Sequence, residues 1–404
     1  MSIKNFRTEH ILILILLSSL FLRLYRLDYP QTYIFDEVYH AFTAKEYLNG
    51  NHEAWEWWTN APKGVAFEWT HPPLAKEIMA LSMFILHTKQ PWAYRLPGVL
   101  LGTLSVYLVY LLADKLLKNR HMAQVSAFAF SIDGLNFVQS RTAMNDIYYV
   151  TFILLGLLLF LNKKYALSAI IFGLAISSKW AALYIYLIFI PLLLVQRKIL
   201  HLLYFIAITI LIYLITYIPF FLLSHTPEQF IHLQQQMFWY HTNLKAAHDY
   251  ASAFWSWPLN LYPVWYFVDY QQNTTANIFA SGNPALFWVG TISVILTAYE
   301  AIKKKSLYLL IIITGFLIFW LPWAISPRIM FLYHFAPCVP FMCICLGYQL
   351  GQDFSDKSRR KLILFLLAAV GLSFILIFPF LTGIHLPKNI VNLFFSINLA
   401  KNPF

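Results

Sequence analysis

Charge is scarce in this sequence. Only 12% of its 404 residues are Asp, Glu, Lys or Arg, 59% are hydrophobic, and the mean hydropathy is +0.60. A soluble domain carries about twice that charged fraction, so water is not the solvent for most of this surface. Glycine is sparse as well, at 14 residues, and no Gly-rich phosphate loop occurs, which argues against a nucleotide cradle. Cysteine is limited to Cys338, Cys343 and Cys345, all inside one apolar block. They supply neither a disulfide framework nor a Cys/His zinc spacing and read as small buried hydrophobes. The net charge of +11 raises nucleic acid as a partner. The basic residues, however, are spread between apolar blocks rather than gathered into a stripe, which speaks against it.

What is present is a succession of apolar blocks of roughly 18 to 24 residues, the length of a helix crossing a hydrocarbon core. They fall near 9–27, 95–113, 122–139, 144–161, 165–178, 181–195, 199–223, 284–302, 306–324, 329–350 and 362–384. The expectation is an all-α integral membrane protein of about eleven spans, forming one polytopic unit over 1–404. The first block follows Lys4 and Arg7 and is closed by Arg23 and Arg26 with no small-residue cleavage site, so it reads as a retained span. Every second junction is short and basic: Lys115, Lys118 and Arg120; Lys163 and Lys164; Arg197 and Lys198; Lys303 to Lys305; and Lys357 with Arg359, Arg360 and Lys361. The positive-inside rule puts these junctions and the N-terminus in the cytoplasm and the C-terminus outside. The opposite face receives two long segments, 28–94 and 224–283, both rich in Trp and Tyr, where a site can be assembled. A transporter predicts repeated halves and interrupted midplane helices, and the hydropathy shows no internal repeat.

The first outer segment opens with Phe35-Asp36-Glu37-Val38-Tyr39-His40 and a helical pattern to about Asn49, so it is expected to carry interfacial helices. On a continuous helix Asp36 and His40 share a face. Asp36 reads either as a helix cap or as a base. Moving a sugar from a lipid phosphate to a hydroxyl needs a base for the hydroxyl proton and cations for the leaving phosphate, and one carboxylate serves as the base. The outer face offers Arg95, Arg141, Lys179 and Arg328, each at a span end, where an alternative role is snorkelling to the interface. Glu68-Trp69-Thr70-His71-Pro72-Pro73 places His71 at the entrance of a further short helix. The tract from His248 through Tyr250 to Trp257 supplies aromatics for a sugar, a lipid or an interface belt. Residues 227–243 read as an amphipathic helix on the membrane, either a gate or a brace. Adjacent residues on a helix diverge, so a metal shared by Asp36 and Glu37 is not expected.

At these residues the chain resembles the polyprenyl-phosphate-mannose protein O-mannosyltransferases of the GT-C class of membrane glycosyltransferases. The resemblance rests on Phe35 to Val38, His71 to Lys76, Arg95-Leu96-Pro97-Gly98, Arg141 to Asp146, Gly173 to Trp180, the tract from His248 to Leu259, and Arg328 with Tyr333-His334. Together these span about residues 30 to 350. It implies a GT-C bundle and an inverting, metal-free reaction without a cofactor. The donor would be a polyprenyl-phosphate-linked sugar and the acceptor a Ser or Thr hydroxyl of an exported protein, with a dimer left open. Position by position it implies Asp36 as base, Glu37 in acceptor binding, and Arg95, Arg141 and Lys179 on the donor phosphate. His40, His71, His248, Tyr250, Trp257, Arg328 and His334 would support substrate binding. The family often reads Glu-Val-His-Tyr where this chain has Glu37-Val38-Tyr39-His40. No soluble domain interrupts the seventh and eighth spans, which points to a prokaryotic plasma membrane. A GT-C enzyme moving another sugar to a lipid or glycan, and a non-catalytic transporter, are the competing readings.

Overall fold

The computed structural model describes residues 3–352 and 357–397; the side chains of Lys4, Arg7 and Lys357 lie outside what it describes. Uniformly apolar segments in a lipid-like environment must satisfy their backbone internally, and helices do so. The expected spans accordingly appear as α1 (Ile3–Leu24), α4 (Pro91–Leu117), α5 and α6 (Arg120–Ser131, Gly134–Gln139), α7 (Asp146–Leu161), α8 (Tyr165–Ser178), α9 (Tyr186–Val195), and α10 with α11 (Ile199–Ile215, Ile218–Leu222). They continue as α13 (Pro284–Lys303), α14 (Leu307–Trp320), α15 (Val339–Gly351) and α16 (Lys357–Thr382). The first outer segment adds α2 (His40–Leu48) and α3 (Leu74–Ile85), the second adds α12 (Pro227–Asn243), and the chain closes with α17 (Lys388–Ile397). Among the described residues, Pro91–Leu117, Pro284–Lys303, Leu307–Ile325 and Arg359–Thr382 are long and apolar enough to cross a membrane, and four further apolar helices have 10–17 residues. The count of eleven crossings rests on the sequence. Leu364, Phe365, Ile375 and Leu376 of α16 are exposed, as lipid-facing side chains are.

Several spans are broken, each for a visible reason. The block at 122–139 divides where Asp133 caps α6, its carboxylate accepting from the backbone N–H groups of Leu135 (3.2 Å) and Asn136 (2.8 Å). Pro219 opens α11 after the end of α10, and Pro337 lies in the 3₁₀ segment Leu332–Cys338 that leads into α15. The all-α expectation holds, with one small sheet added to it. Strands β1 (Val264–Tyr270) and β2 (Thr274–Ala280) form an antiparallel hairpin, extended at Thr274 and Thr275 by β3 (Leu386–Pro387). Val264 to Val268 are β-branched or aromatic throughout, a composition that favours strand and that also suits a membrane-interface belt.

Small residues let helices approach closely. Gly347 and Gly351 of α15 lie against Met122 and Ser126 of α5, and a Cβ at Gly347 would overlap the Ser126 hydroxyl and the Met122 carbonyl. Because one obstacle is backbone, the two helices would have to part. Gly347→Ala is therefore expected to destabilise by about 1–3 kcal/mol, read as a lower Tm in detergent; an unchanged Tm would show that the contact yields freely.

Candidate active site

Asp36 and Glu37 lie on a single 3₁₀ turn, Phe35–Val38, which ends before α2 begins at His40. The continuous helix read from the sequence is thus interrupted. Phe35 has φ +44°, a left-handed conformation disfavoured for a residue with a Cβ. Its ring stacks on Tyr266 of β1, centroids 4.2 Å apart at 10°, a contact that holds the turn in place. From this turn the adjacent carboxylates diverge.

Glu37 points into the bundle and is fully buried. Its Oε1 accepts from Arg95 Nε (2.8 Å) and the Ala143 N–H (3.1 Å), and its Oε2 from Arg95 Nη2 (2.7 Å) and the Ile34 N–H (3.2 Å). Arg95 Nη1 in turn donates to the carbonyls of Leu27 (3.1 Å) and Pro30 (3.0 Å). Arg141 is also spent internally: Nε donates to the Arg23 carbonyl (3.0 Å), Nη1 to that of Leu381 (3.3 Å) and Nη2 to that of Tyr25. Glu37, Arg95 and Arg141 therefore hold chain segments together and do not line the cavity. This departs from the substrate roles that the resemblance implies for them.

Asp36 instead lines a cavity of 580 Å³, together with His40, Glu68, His71, Asn145, Asp146, Lys179, Tyr240, His248, Arg328, Tyr333 and His334. Its carboxylate accepts no hydrogen bond among the described residues, and burial pushes it up to about 6, with His40 and Lys179 opposing that rise and Glu68 and Asp146 adding to it. Lys179, at the end of α8, pairs with Asp146 at 2.9 Å. Arg328 has no carboxylate partner among the described residues; its Nη1 donates to His241 Nδ1 at 2.5 Å. Of the remaining residues singled out in the sequence, Trp257 is fully buried behind the site, stacked on His334 at 6.0 Å. Tyr250 stands outside the lining, tilted against the exposed His248 at 5.5 Å.

Three imidazoles form a row, of which His40 and His71 line the cavity and His241 stands behind them. His71 stacks on His40 (6.2 Å) and on His241 of α12 (5.0 Å). His241 Nε2 lies 2.7 Å from the Thr70 carbonyl, which only accepts, so the proton sits on Nε2 and Nδ1 receives Arg328. Burial, then Arg328, push His241 down to about 4, and burial holds His71 well below the usual histidine range. Glu68 anchors the other end, 3.1 Å from His40. Burial raises this carboxyl, but Lys76, His71 and His40 together hold it well below the usual range. It also accepts from the N–H groups of Thr70 (2.7 Å) and His71 (3.0 Å). Lys76 donates to the carbonyls of Glu68 (2.8 Å) and His71 (2.9 Å), so the lysine of the His71 to Lys76 motif clamps the loop that carries the histidine. Asn145 and the His71 Nδ1 bring buried polar atoms without a protein partner to the cavity wall, a mark of ligand sites.

Sequence reasoning assigned no role to Glu68, Asn145, Asp146 or His241. His241 follows Leu233 and Met237, the buried positions of α12, at helical spacing, a periodicity that places it on the packed face.

The site has known relatives. Residues 13–236 match the family model described as dolichyl-phosphate-mannose-protein mannosyltransferase, and residues 226–395 that of the C-terminal four TMM region of protein-O-mannosyltransferase. The chain belongs to this family. The polyprenol-phosphate-mannose–protein mannosyltransferase of Mycobacterium tuberculosis is 24% identical, covering 92% of this chain and 87% of the relative, and that of Mycolicibacterium smegmatis is 23% identical over 90% and 86%. The fold matches the S. cerevisiae protein O-mannosyltransferase Pmt1-Pmt2 complex bound to the sugar donor, with TM-score 0.81 at 13% identity over 98% of this chain and 93% of that one. ArnT from Cupriavidus metallidurans, bound to undecaprenyl phosphate, matches with TM-score 0.63 at 15% identity over 89% and 63%. The chain is a membrane glycosyltransferase with the GT-C architecture.

Removing one member of the Glu37–Arg95 pair strands the other charge. Arg95→Leu is expected to cost about 3–5 kcal/mol. Adding Glu37→Gln, which removes that charge while keeping an acceptor for the backbone N–H groups, should restore part of it. A double variant whose Tm is no higher than the single variant's would show that charge burial is not what the pair relieves.

Proposed function

We propose that this chain transfers mannose from polyprenyl-phosphate mannose to Ser or Thr hydroxyls of exported proteins, with Asp36 as the base. The observation that carries the reading is the convergence of one underbonded carboxylate and two cations, Lys179 and Arg328, in a single cavity. Asp36 takes the hydroxyl proton as the oxygen attacks the anomeric carbon from the face opposite the phosphate. The bond from that carbon to the phosphate oxygen breaks, and the configuration inverts. The carrier phosphate needs no proton to leave, so charge stabilisation takes the place of an acid. Lys179 and Arg328 supply it, Arg328 oriented by its bond to His241. Asn145 and the His71 Nδ1 are the sugar-facing polar groups in this reading, and Tyr240 and Tyr333 its aromatic walls.

An apolar groove of 400 Å³ lined by Ile176, Trp180, Leu183, Tyr186, Ile206, Ile210 and Tyr213 supports a polyprenyl tail entering from the bilayer. Trp180 follows Lys179 in the chain and lies 6.1 Å from the His241 ring, so tail and phosphate would be continuous. Asp36, Glu68, Asp146, Lys179, His248 and Arg328 all fall in or beside junctions that the charge alternation assigns to the outer side. That supports a plasma-membrane enzyme with a cytoplasmic N-terminus and an outward-facing site. Every residue of the arrangement comes from one chain, so the reading needs no second copy.

With radiolabelled polyprenyl-phosphate mannose and a Ser/Thr-rich peptide, Asp36→Asn should label about 10²–10⁴-fold more slowly than wild type. Equal rates would remove Asp36 from the role of base. A carboxyl raised to about 6 is a base only when deprotonated, so the wild-type rate should climb with pH through about 6 and level above it. A profile flat from pH 5 to 8 would contradict this assignment.

A further inference from the structure

Outside the cavity, three side chains from the two outer segments converge on one point. His52 and Glu56 lie four residues apart in the first segment, and His225 immediately precedes the Thr226 cap of α12 in the second. Their ligand atoms all lie within 4.8 Å of one another. His52 Nδ1 stands 3.1 Å from Glu56 Oε1, and His225 Nε2 stands 3.3 Å from the same oxygen. None of the three lines the cavity.

The hydrogen bonding behind these atoms prepares them for a cation. His225 Nδ1 lies 2.9 Å from the Phe220 carbonyl, which can only accept, so the proton sits on Nδ1 and Nε2 of the neutral ring is a bare lone pair. Its ring is further fixed by stacking on Phe220, centroids 4.2 Å apart at 17°. That lone pair faces a carboxylate oxygen, acceptor against acceptor. Glu56 Oε2 is engaged by the Thr59 hydroxyl, leaving Oε1 to the two imidazoles. Two of the three groups are thus oriented by outer partners, as metal ligands are. The spacing fits as well. Bonds of about 2.0–2.2 Å from imidazole nitrogen and carboxylate oxygen put ligands on a tetrahedral ion about 3.4 Å apart, close to the two separations seen. The His52 side chain is 62% exposed, which leaves a coordination position open to water.

We propose that His52, Glu56 and His225 bind a divalent cation of the zinc class, a donor set of two imidazoles and one carboxylate suited to that ion. The ion is a clasp rather than a reactant. It joins residues 169 apart in the chain and fastens the start of α12 to the first outer segment. The last turns of the same helix carry Tyr240, which lines the cavity, and His241, which stacks on His71.

The test uses tag-free, full-length protein in detergent. After chelation and dialysis, zinc is titrated back against a chromophoric indicator while metal content and Tm are followed. Wild type should take up one zinc per chain and gain Tm on binding. His52→Ala, at an exposed position that leaves packing intact, and Glu56→Gln should bind at least 10-fold more weakly, and zinc should no longer raise their Tm. Cobalt(II) in place of zinc should give wild type, but not His52→Ala, the visible absorption of a four-coordinate site. Absence of stoichiometric uptake would overturn the proposal. Uptake that both variants leave unchanged would overturn it equally. Neither readout depends on mannosyl transfer.

Discussion

Glu37 and Arg95 are paired where side-chain exposure is 0% and 1%, and in so dry a place neither charge has an inexpensive alternative to the other. The consequence spreads along the backbone. Arg95 at the start of α4 gathers the carbonyls of Leu27 and Pro30, and Glu37 gathers the N–H groups of Ile34 and Ala143. The exit from α1, the 3₁₀ turn and the approach to α7 are thereby fixed to one point. Asp36 occupies the residue before Glu37 in that turn, so its position is set by a bond it does not make.

Two acids adjacent in sequence consequently have opposite chemistry. Each Glu37 oxygen receives two donors, and a carboxylate so satisfied is a fastener. The Asp36 carboxylate accepts no hydrogen bond among the described residues and is pushed up to about 6, which leaves it basic enough to take a proton and still charged at neutral pH. Glu68 repeats the first pattern, fixing the loop through the Thr70 and His71 N–H groups and standing 3.1 Å from His40. The number of donors around each carboxylate, more than its identity, separates structure from chemistry in this cavity.

The apolar blocks were readable from the sequence because their length is set by the bilayer over many residues, and they are indeed helical. Which way a side chain turns at a junction was not. Arg95 and Arg141 carry the same charge on the same face as Lys179 and Arg328. They lie beside loops whose carbonyls have lost their helical partners, however, and a guanidinium fork satisfies several of these at once. Lys179 and Arg328 have fewer such carbonyls within reach and line the cavity. The β1–β2 hairpin was hidden for a related reason, since an aromatic and β-branched run reads equally as a membrane-interface belt. His241 was hidden because residues 227–243 read only as an amphipathic helix on the membrane, a gate or a brace, whereas His241 packs on the loop of His71.

With Lys179 and Arg328 as the phosphate ligands, the two ends of the reaction are unequal in charge. The donor is a phosphodiester with one negative charge. The spent carrier is a monoester that carries between one and a half and two at neutral pH, by the ordinary second ionisation of about 6. The same two cations would thus grip the product more firmly than the substrate, and a tail held in the apolar groove as proposed would have no reason to leave. An active site built this way passes its burden from bond breaking to carrier release. With the tail in that groove as proposed, the speed at which the membrane draws the emptied lipid out would set the turnover of the enzyme.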